Sequence, residues 1–412
     1  MNPGRKPFLM LLTSVVALAA GNAVAQTLSV TQQNDKDKTI RVTSPGTFET
    51  TFTLRKGFGA SWFDLAHDPE KRHDLAPVLD ENGLYWVKLA KMPADPKITD
   101  TGSWYANSAQ RIDLLESGPV RAKVRLTGWH MRYGRTDEKA AMKELGFELT
   151  HTVYPTGAVY TAYVLDAAEE VPLHHFLTII KSNGAWGPAG KGEGKAEAHC
   201  VTEGGDDAPK GIKTPASFVL QWSNGPTYFA DMLLVYYTGR YGTTYWNEGF
   251  EDRDYRAGMN VLAGFQDKKL PKGKTALLFL FRIADDMNSA AAAAPYASDY
   301  RAPDRLGVSK GAADTADEGD LDKDGYDESE GCYVLKAGAD GVAFTIHGKQ
   351  TPRMKPVLKI KGWRGESVQT VTLDGTTLDP VKEYIASVKD GVALVLLRTD
   401  IRGDMLVSLS GK

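Results

Sequence analysis

From Thr39 to about Ala284, apolar residues recur at every second position in short runs separated by turn residues. That is the period of half-buried strands, and helical spacing is scarce. Val120, Ala122, Val124 and Leu126 share one face while Arg121, Lys123 and Arg125 share the other, the pattern of an antiparallel strand with one wet side. Ser117-Gly118-Pro119 turns into that strand. Phe147 to Tyr154, the turn Pro155-Thr156-Gly157 and Ala158 to Leu165 predict a hairpin. Further strands are expected at His175–Lys181, Ser217–Trp222, Tyr228–Tyr237, Met259–Phe265 and Thr275–Ile283.

The pattern then changes. Ala290 to Ala294 is a small-residue run and Gly311 to Gly319 is rich in Ala, Asp, Thr and Glu, so residues 286–318 are expected to form a short helix and a linker. After Cys332, a hairpin from Tyr333 to Ile346 turning at Asp340-Gly341 is expected. Strands at Val357–Trp363, Val368–Leu373, Val392–Leu397 and Met405–Leu409 would complete a small β-sandwich. The expected architecture is all-β: a large antiparallel domain over 26–285, then a calcium loop and small sandwich over 319–412.

At the start of the chain, Arg5 and Lys6 precede an apolar run from Phe8 to Ala20, and Ala23-Val24-Ala25 supplies small residues before Gln26. This is the pattern of a secretory signal peptide over residues 1–25, cleaved after Ala25, and it implies export to the periplasm or beyond. No later run is long enough to span a bilayer. Loss of the leader takes the formal charge from -3 to -5, which argues against a nucleic-acid partner. Cys200 and Cys332 are the sole cysteines. In an oxidising compartment they are the candidate disulfide, closing a loop of roughly 130 residues and contributing on the order of 4 kcal/mol in the chain-entropy model.

Three stretches carry a family resemblance: Gly57-Phe58-Gly59-Ala60-Ser61-Trp62-Phe63-Asp64-Leu65, Leu115-Glu116-Ser117-Gly118-Pro119-Val120-Arg121, and Tyr154-Pro155-Thr156-Gly157-Ala158-Val159-Tyr160. They resemble the galactose-mutarotase-like β-supersandwich over roughly residues 40–285. That resemblance implies a domain of the kind found in secreted glycoside hydrolases and polysaccharide lyases. No mutarotase His/Glu catalytic pair aligns with this sequence.

The chemistry-bearing residues fall into three groups. Asp320-Leu321-Asp322-Lys323-Asp324-Gly325-Tyr326 places carboxylates at alternate positions before a glycine, and resembles the first half of EF-hand and dockerin loops. Asp320, Asp322, Asp324, the Tyr326 carbonyl, Glu328 and Glu330 are the candidate ligands of a structural Ca2+. Gly331 stands where an EF-hand has its closing glutamate. The second group is aromatic: residues 236–255 hold seven aromatics against 9% for the chain, with Arg240 and Arg253 among them. Tyr245 and Trp246 can stack on sugar rings there. The third group is catalytic. Elimination across a uronide needs a base, an acid and a carboxylate clamp, roles open to His130, His151, Tyr241 and Arg240. Arg121, Lys123 and Arg125 either steer an anionic chain or form ordinary ion pairs on a solvated face. The expected partner is a polysaccharide, with lyase chemistry on an acidic glycan or non-catalytic binding as the two forms. No Gly-x-Ser-x-Gly, phosphate loop, dinucleotide fingerprint or His-Glu-x-x-His occurs.

Overall fold

The computed structural model describes residues 27–33, 38–54, 56–66, 69–71, 74–77, 85–89, 103–105, 110–132, 141–171, 173–183, 196–201, 217–222, 229–237, 245–250, 257–264, 270, 272–284, 303–320, 322–349 and 352–411. These residues contain no helix. The first sheet is a four-stranded meander of β1 (Ser29–Gln33), β2 (Thr39–Ser44), β3 (Phe48–Thr53) and β4 (Lys56–Asp64).

The second sheet has fourteen strands. They are β5 (Asp74–Pro77), β6 (Tyr85–Leu89), β7 (Ser103–Tyr105), β8 (Arg111–Ser117), β9 (Ala122–Arg132), β10 (Ala141–Val153), β11 (Val159–Ala167), β12 (Leu173–Asn183), β13 (Ala196–Val201), β14 (Ser217–Trp222), β15 (Phe229–Tyr237), β16 (Tyr245–Phe250), β17 (Ala257–Gly264) and β18 (Gly273–Ala284). The main path runs β13-β14-β15-β18-β11-β10-β9-β7-β6-β12-β17-β16, with β5 on β12 and β8 on β9. β5 to β7 and β12 to β17 are described by their backbones alone.

β9, β10, β11 and β18 are the part of this sheet that matters below. Leu149 stands opposite Leu126 on one side and Tyr163 on the other, and Tyr163 stands opposite Leu277. Val124, Leu126, Phe147, Leu149, His151, Tyr163 and Leu165 share the inner face and are buried. The four-stranded sheet covers that face, with Phe52 of β3 stacked on His151 at 4.8 Å between ring centroids. The predicted hairpin is present as β10 and β11, and the turn closes with Gly157 N–H donating to the Tyr154 carbonyl at 3.1 Å. Gly157 has φ +82°, a conformation glycine adopts without the Cβ penalty.

The C-terminal unit is a sandwich of two sheets. Its strands are β19 (Arg305–Lys310), β20 (Ala312–Ala313), β21 (Tyr326–Asp327), β22 (Cys332–Lys336), β23 (Val342–His347), β24 (Val357–Lys361), β25 (Thr370–Leu373), β26 (Thr376–Thr377), β27 (Tyr384–Lys389), β28 (Val392–Leu397) and β29 (Asp404–Ser410). One sheet orders β19-β23-β29-β25-β26, and the other orders β20-β22-β24-β28-β27 with β21 on β22. Tyr333, Leu335, Phe344, Ile360, Val395 and Val407 meet between them.

The fold departs from the sequence pattern in two places. The stretch expected as helix and linker supplies β19 and β20 from its described part, residues 303–318. The hairpin expected from Tyr333 to Ile346 does not form, because β22 and β23 belong to different sheets and the chain crosses from one layer to the other. Both segments alternate, so either pairing satisfies the sequence pattern; burial of β22 on both faces decides it. Cys332 and Val334 point away from the sandwich interior. With Val357, Leu394 and Leu396 they form a second core against Val120, Tyr154, Ala158, Tyr160 and Leu280 of the large domain. The C-terminal sandwich is thus docked on the outer face of the large sheet, at the end of β9 to β11 nearest the 154–158 turn.

Candidate functional site

The acidic loop between β20 and β22 is built by its first aspartate. Asp320 accepts backbone N–H bonds from Lys323, Asp324 and Gly325 at 2.7, 3.1 and 2.9 Å. Tyr326 N–H donates to Asp324 at 2.8 Å. Gly325, at φ +91°, makes the reversal. Asp320, Asp322, Asp324 and Glu328 can each bring one carboxylate oxygen within 4.8 Å of the others, and an oxygen-only set of that kind suits a hard cation. Burial above all, with the charges of Asp322 and Asp320 adding to it, pushes the Asp324 carboxyl up to about 6 against the lowering pull of the Tyr326 N–H bond.

The Tyr326 ring is buried in the C-terminal core beside Tyr333, which leaves the expectation for its backbone carbonyl unchanged. One of the six expected ligands does other work. Glu330 turns away from the other acids into the seam between the domains.

That seam is charged. Glu330 is contacted by Arg121 at 2.6 Å, by Lys359 at 3.0 Å and by Lys123. Arg121 also reaches Glu116 at 2.9 Å, and Lys359 reaches Asp317 and Asp327 at 3.3 and 3.5 Å. The Tyr154 hydroxyl donates to the Glu330 carbonyl at 2.6 Å. Burial alone would raise the Glu330 carboxyl, but the three cations outweigh it and hold the group well below the usual carboxylate range. Burial raises Asp327 to about 6, with Glu330 adding to the shift.

The basic stripe is thereby accounted for. Arg121 and Lys123 anchor the second domain, and Arg125 pairs with Asp113 of β8 at 3.2 Å. They form structural ion pairs and are not left free to steer an anionic chain.

The disulfide expected between Cys200 and Cys332 is also corrected: Cys332 is a free, fully buried thiol. Its sulfur lies 3.9 Å from Glu330, inside the packed seam. Burial, followed by the Asp327 and Glu330 charges, raises its pKa well above the ordinary thiol value, which suppresses the reactive thiolate. Iodoacetamide should therefore leave Cys332 unmodified in the native protein and label it after unfolding without reductant. Label absent under the second condition, on a peptide map, would contradict the free thiol.

The two candidate histidines are core residues. His130, at the β-bulge end of β9, is fully buried. Its Nδ1 donates to the Leu145 carbonyl at 3.0 Å, leaving Nε2 to accept from the Tyr163 hydroxyl. Burial drives its pKa down to about 4 against the pull of that backbone bond, so it is neutral at physiological pH. His151 is equally buried, with Nδ1 2.8 Å from the Thr161 hydroxyl. Neither has the solvent access expected of a base at a groove. Arg240 and Tyr241 lie outside the described residues, and Tyr245 and Trp246 lie on β16 at one end of the large sheet path.

A site missed by the sequence patterns lies on the outer face of the same strands. An open groove of about 290 Å³ is lined by Gln110, Thr127, Trp129, Gly146, Glu148, Val164, Asp166 and Lys274. Its floor is flat because Gly146 stands opposite Trp129 and Asp166, at the point where a bulge between Met142 and Gly146 shifts the pairing of β9 and β10. Bulges of this kind commonly re-aim side chains beside functional sites. Lys143, within the bulge, places its ammonium 5.5 Å from the Trp129 ring centre. Glu148 receives a weak bond from the Thr150 hydroxyl at 3.4 Å. Asp166 and Lys274 stand directly opposite each other on β11 and β18. An aromatic ring, a bare floor and several polar groups at the rim are what a sugar ring requires: C–H faces stack on the ring and hydroxyls bond to the rim. Finding this set needs the register of four strands, which periodicity alone does not supply.

No protein-family model and no curated protein matches the chain. Among solved structures, it is similar to a galactose 1-epimerase from Lactobacillus acidophilus, at 8% identity and TM-score 0.32, over 62% of this chain and 98% of that one. It is also similar to a polysaccharide lyase, at 10% identity and TM-score 0.35, over 95% of this chain and 47% of that one. A third is a heparan sulfate lyase from Pedobacter heparinus, at 8% identity and TM-score 0.32, over 73% of this chain and 40% of that one. The chain thus spans less than half the length of either lyase. At these scores the likenesses assign no activity.

Proposed function

We propose that the protein is an exported carbohydrate-engaging protein that holds a saccharide in the groove between Trp129 and Lys274. The single observation behind this reading is the coincidence, in one open groove, of an aromatic ring, a side-chain-free floor at Gly146 and rim groups from Gln110, Thr127, Glu148 and Asp166. The leader-like first 25 residues support export. Among the described residues no helix is long and apolar enough to cross a membrane.

Lyase-type β-elimination on an acidic glycan is the enzymatic form of the reading. With His130 and His151 enclosed in the core, its base and clamp would have to come from Arg240, Tyr241 and their neighbours. Binding is therefore the better-supported form. Structural Ca2+ at Asp320, Asp322, Asp324 and Glu328 completes the proposal, because four crowded carboxylates gain most from a divalent neutraliser.

The test runs the native protein through gels cast with different polysaccharides, while a parallel assay follows ultraviolet absorbance of unsaturated uronide product. Retardation by at least one polysaccharide, at least tenfold weaker in Trp129→Ala, is expected. Equal retardation of the variant would remove the groove from the reading, and product formation would promote the lyase form.

A further inference from the structure

The strands that floor the groove carry a strip of small outward side chains between it and the C-terminal sandwich. Beyond Glu148 on β10 the next outward position is Thr150; beyond Asp166 on β11 come Val164 and Ala162; beyond Lys274 on β18 comes Ala276. Thr150 stands opposite Ala162 and Val164 opposite Ala276, so the four lie side by side across three strands. All are half-buried, and none is larger than valine.

The long side chains of β9 are drawn away from this strip. Arg125, opposite Thr150, is held toward β8 by Asp113 at 3.2 Å, and Lys123 is held in the seam by Glu330. The surface over Thr150 is therefore low. It stops at Tyr160, six residues along β11 from Asp166, where the sandwich docks and Gly331 lies against the tyrosine ring. At the rise of an extended strand that step is roughly 20 Å, room for about four pyranose units in line.

We propose that the groove is the mouth of a longer track, which holds an extended saccharide chain along β10 and β11 with the C-terminal sandwich as its end wall. One sugar unit stacks on Trp129, and the following units lie over Val164, Thr150 and Ala162. Small side chains let the C–H faces of consecutive rings come down onto the sheet, and covering half-exposed apolar surface adds affinity with each unit until the wall is met. The ligand class is thus a polysaccharide chain rather than a mono- or disaccharide. This inference rests on the saccharide reading of the groove and deepens it.

The experiment titrates oligosaccharides of one to six units, prepared from β-1,4-glucan, β-1,4-mannan and polygalacturonate, into the mature protein and follows the heat of binding. In a series that binds, affinity should rise about tenfold or more from disaccharide to tetrasaccharide and by less than about twofold from there to hexasaccharide. Ala162→Tyr puts a strand-compatible but tall side chain in the middle of the track. It should bring the tetrasaccharide to within about twofold of the disaccharide. Thr150→Tyr, on the neighbouring strand, should do the same, and the melting curve of each variant shows whether it is folded. Affinity independent of length, a gain that continues undiminished to six units, or a tetrasaccharide advantage that survives in a folded variant would overturn the track and leave the saccharide reading standing. Binding of none of the three series, in a protein that also ignores every polysaccharide gel, would sink both.

Discussion

Replacing Glu330 with alanine should destabilise the protein by about 3–5 kcal/mol, the cost of removing one member of a buried ion cluster and leaving its partners uncompensated. Arg121, Lys123 and Lys359 all converge on this one carboxylate. Arg121 is 6% exposed, so water cannot replace the lost charge. The damage should concentrate in the seam: urea unfolding should split into two transitions, with the C-terminal sandwich released first.

The pH dependence follows from the direction of the shift. The folded Glu330 carboxyl titrates well below the ordinary glutamate value of 4.5, so its contribution is complete above that value and disappears as pH falls through the folded pKa. The gap between wild type and variant should therefore be full at pH 7 and should close progressively below about pH 4.5. A double change to Arg121→Met and Glu330→Leu, which removes both charges and fills the space, should recover most of the loss, since apolar replacements of buried ion pairs are often neutral or better. A Glu330→Ala variant that unfolds in one transition with unchanged midpoint would contradict the seam as described.

Calcium should have the second large effect. If Asp320, Asp322, Asp324 and Glu328 hold the ion, saturating it at about a thousand times its Kd adds about 4 kcal/mol to the folded state. Chelator should therefore lower the melting temperature and magnesium should not restore it, because the smaller ion demands a stricter octahedron. Asp324, at about 6 without the ion, must lose its proton to bind. Calcium affinity should consequently fall as pH drops below about 6, with proton release on binding measurable between about pH 5 and 6. Asp322→Asn should weaken calcium binding while leaving the chelated protein nearly as stable as wild type. A melting curve indifferent to calcium and chelator near neutral pH would remove the ion.

How much of this is legible in the sequence depends on whether a feature is local. β14 coincides with the expected Ser217–Trp222, and the β10/β11 hairpin forms at Pro155-Thr156-Gly157, because alternation and turn chemistry act within a few residues. Register with Phe147 and Leu149 puts His151 on the apolar face, and it lies there. His130 looks exposed in the sequence because it stands near a strand end beside Arg132. β9 runs two residues further and pairs beyond it, so the inner-face alternation carries His130 into the core. Spacing alone makes Glu330 a calcium ligand. Its partners Arg121 and Lys123 are more than two hundred residues away in sequence, and nothing local announces them. The groove escapes for the same reason. Trp129, Glu148, Asp166 and Lys274 are each ordinary outward positions until four strands are laid side by side.

The central claim is that a saccharide lies on Trp129, and hydroxyl-radical footprinting followed by peptide mass spectrometry tests it most directly. With a saturating oligosaccharide that binds, oxidation of Trp129 should fall at least severalfold while partly exposed Trp residues elsewhere are unchanged. Binding that leaves Trp129 oxidation untouched, or that protects the 245–246 segment instead, would contradict the account.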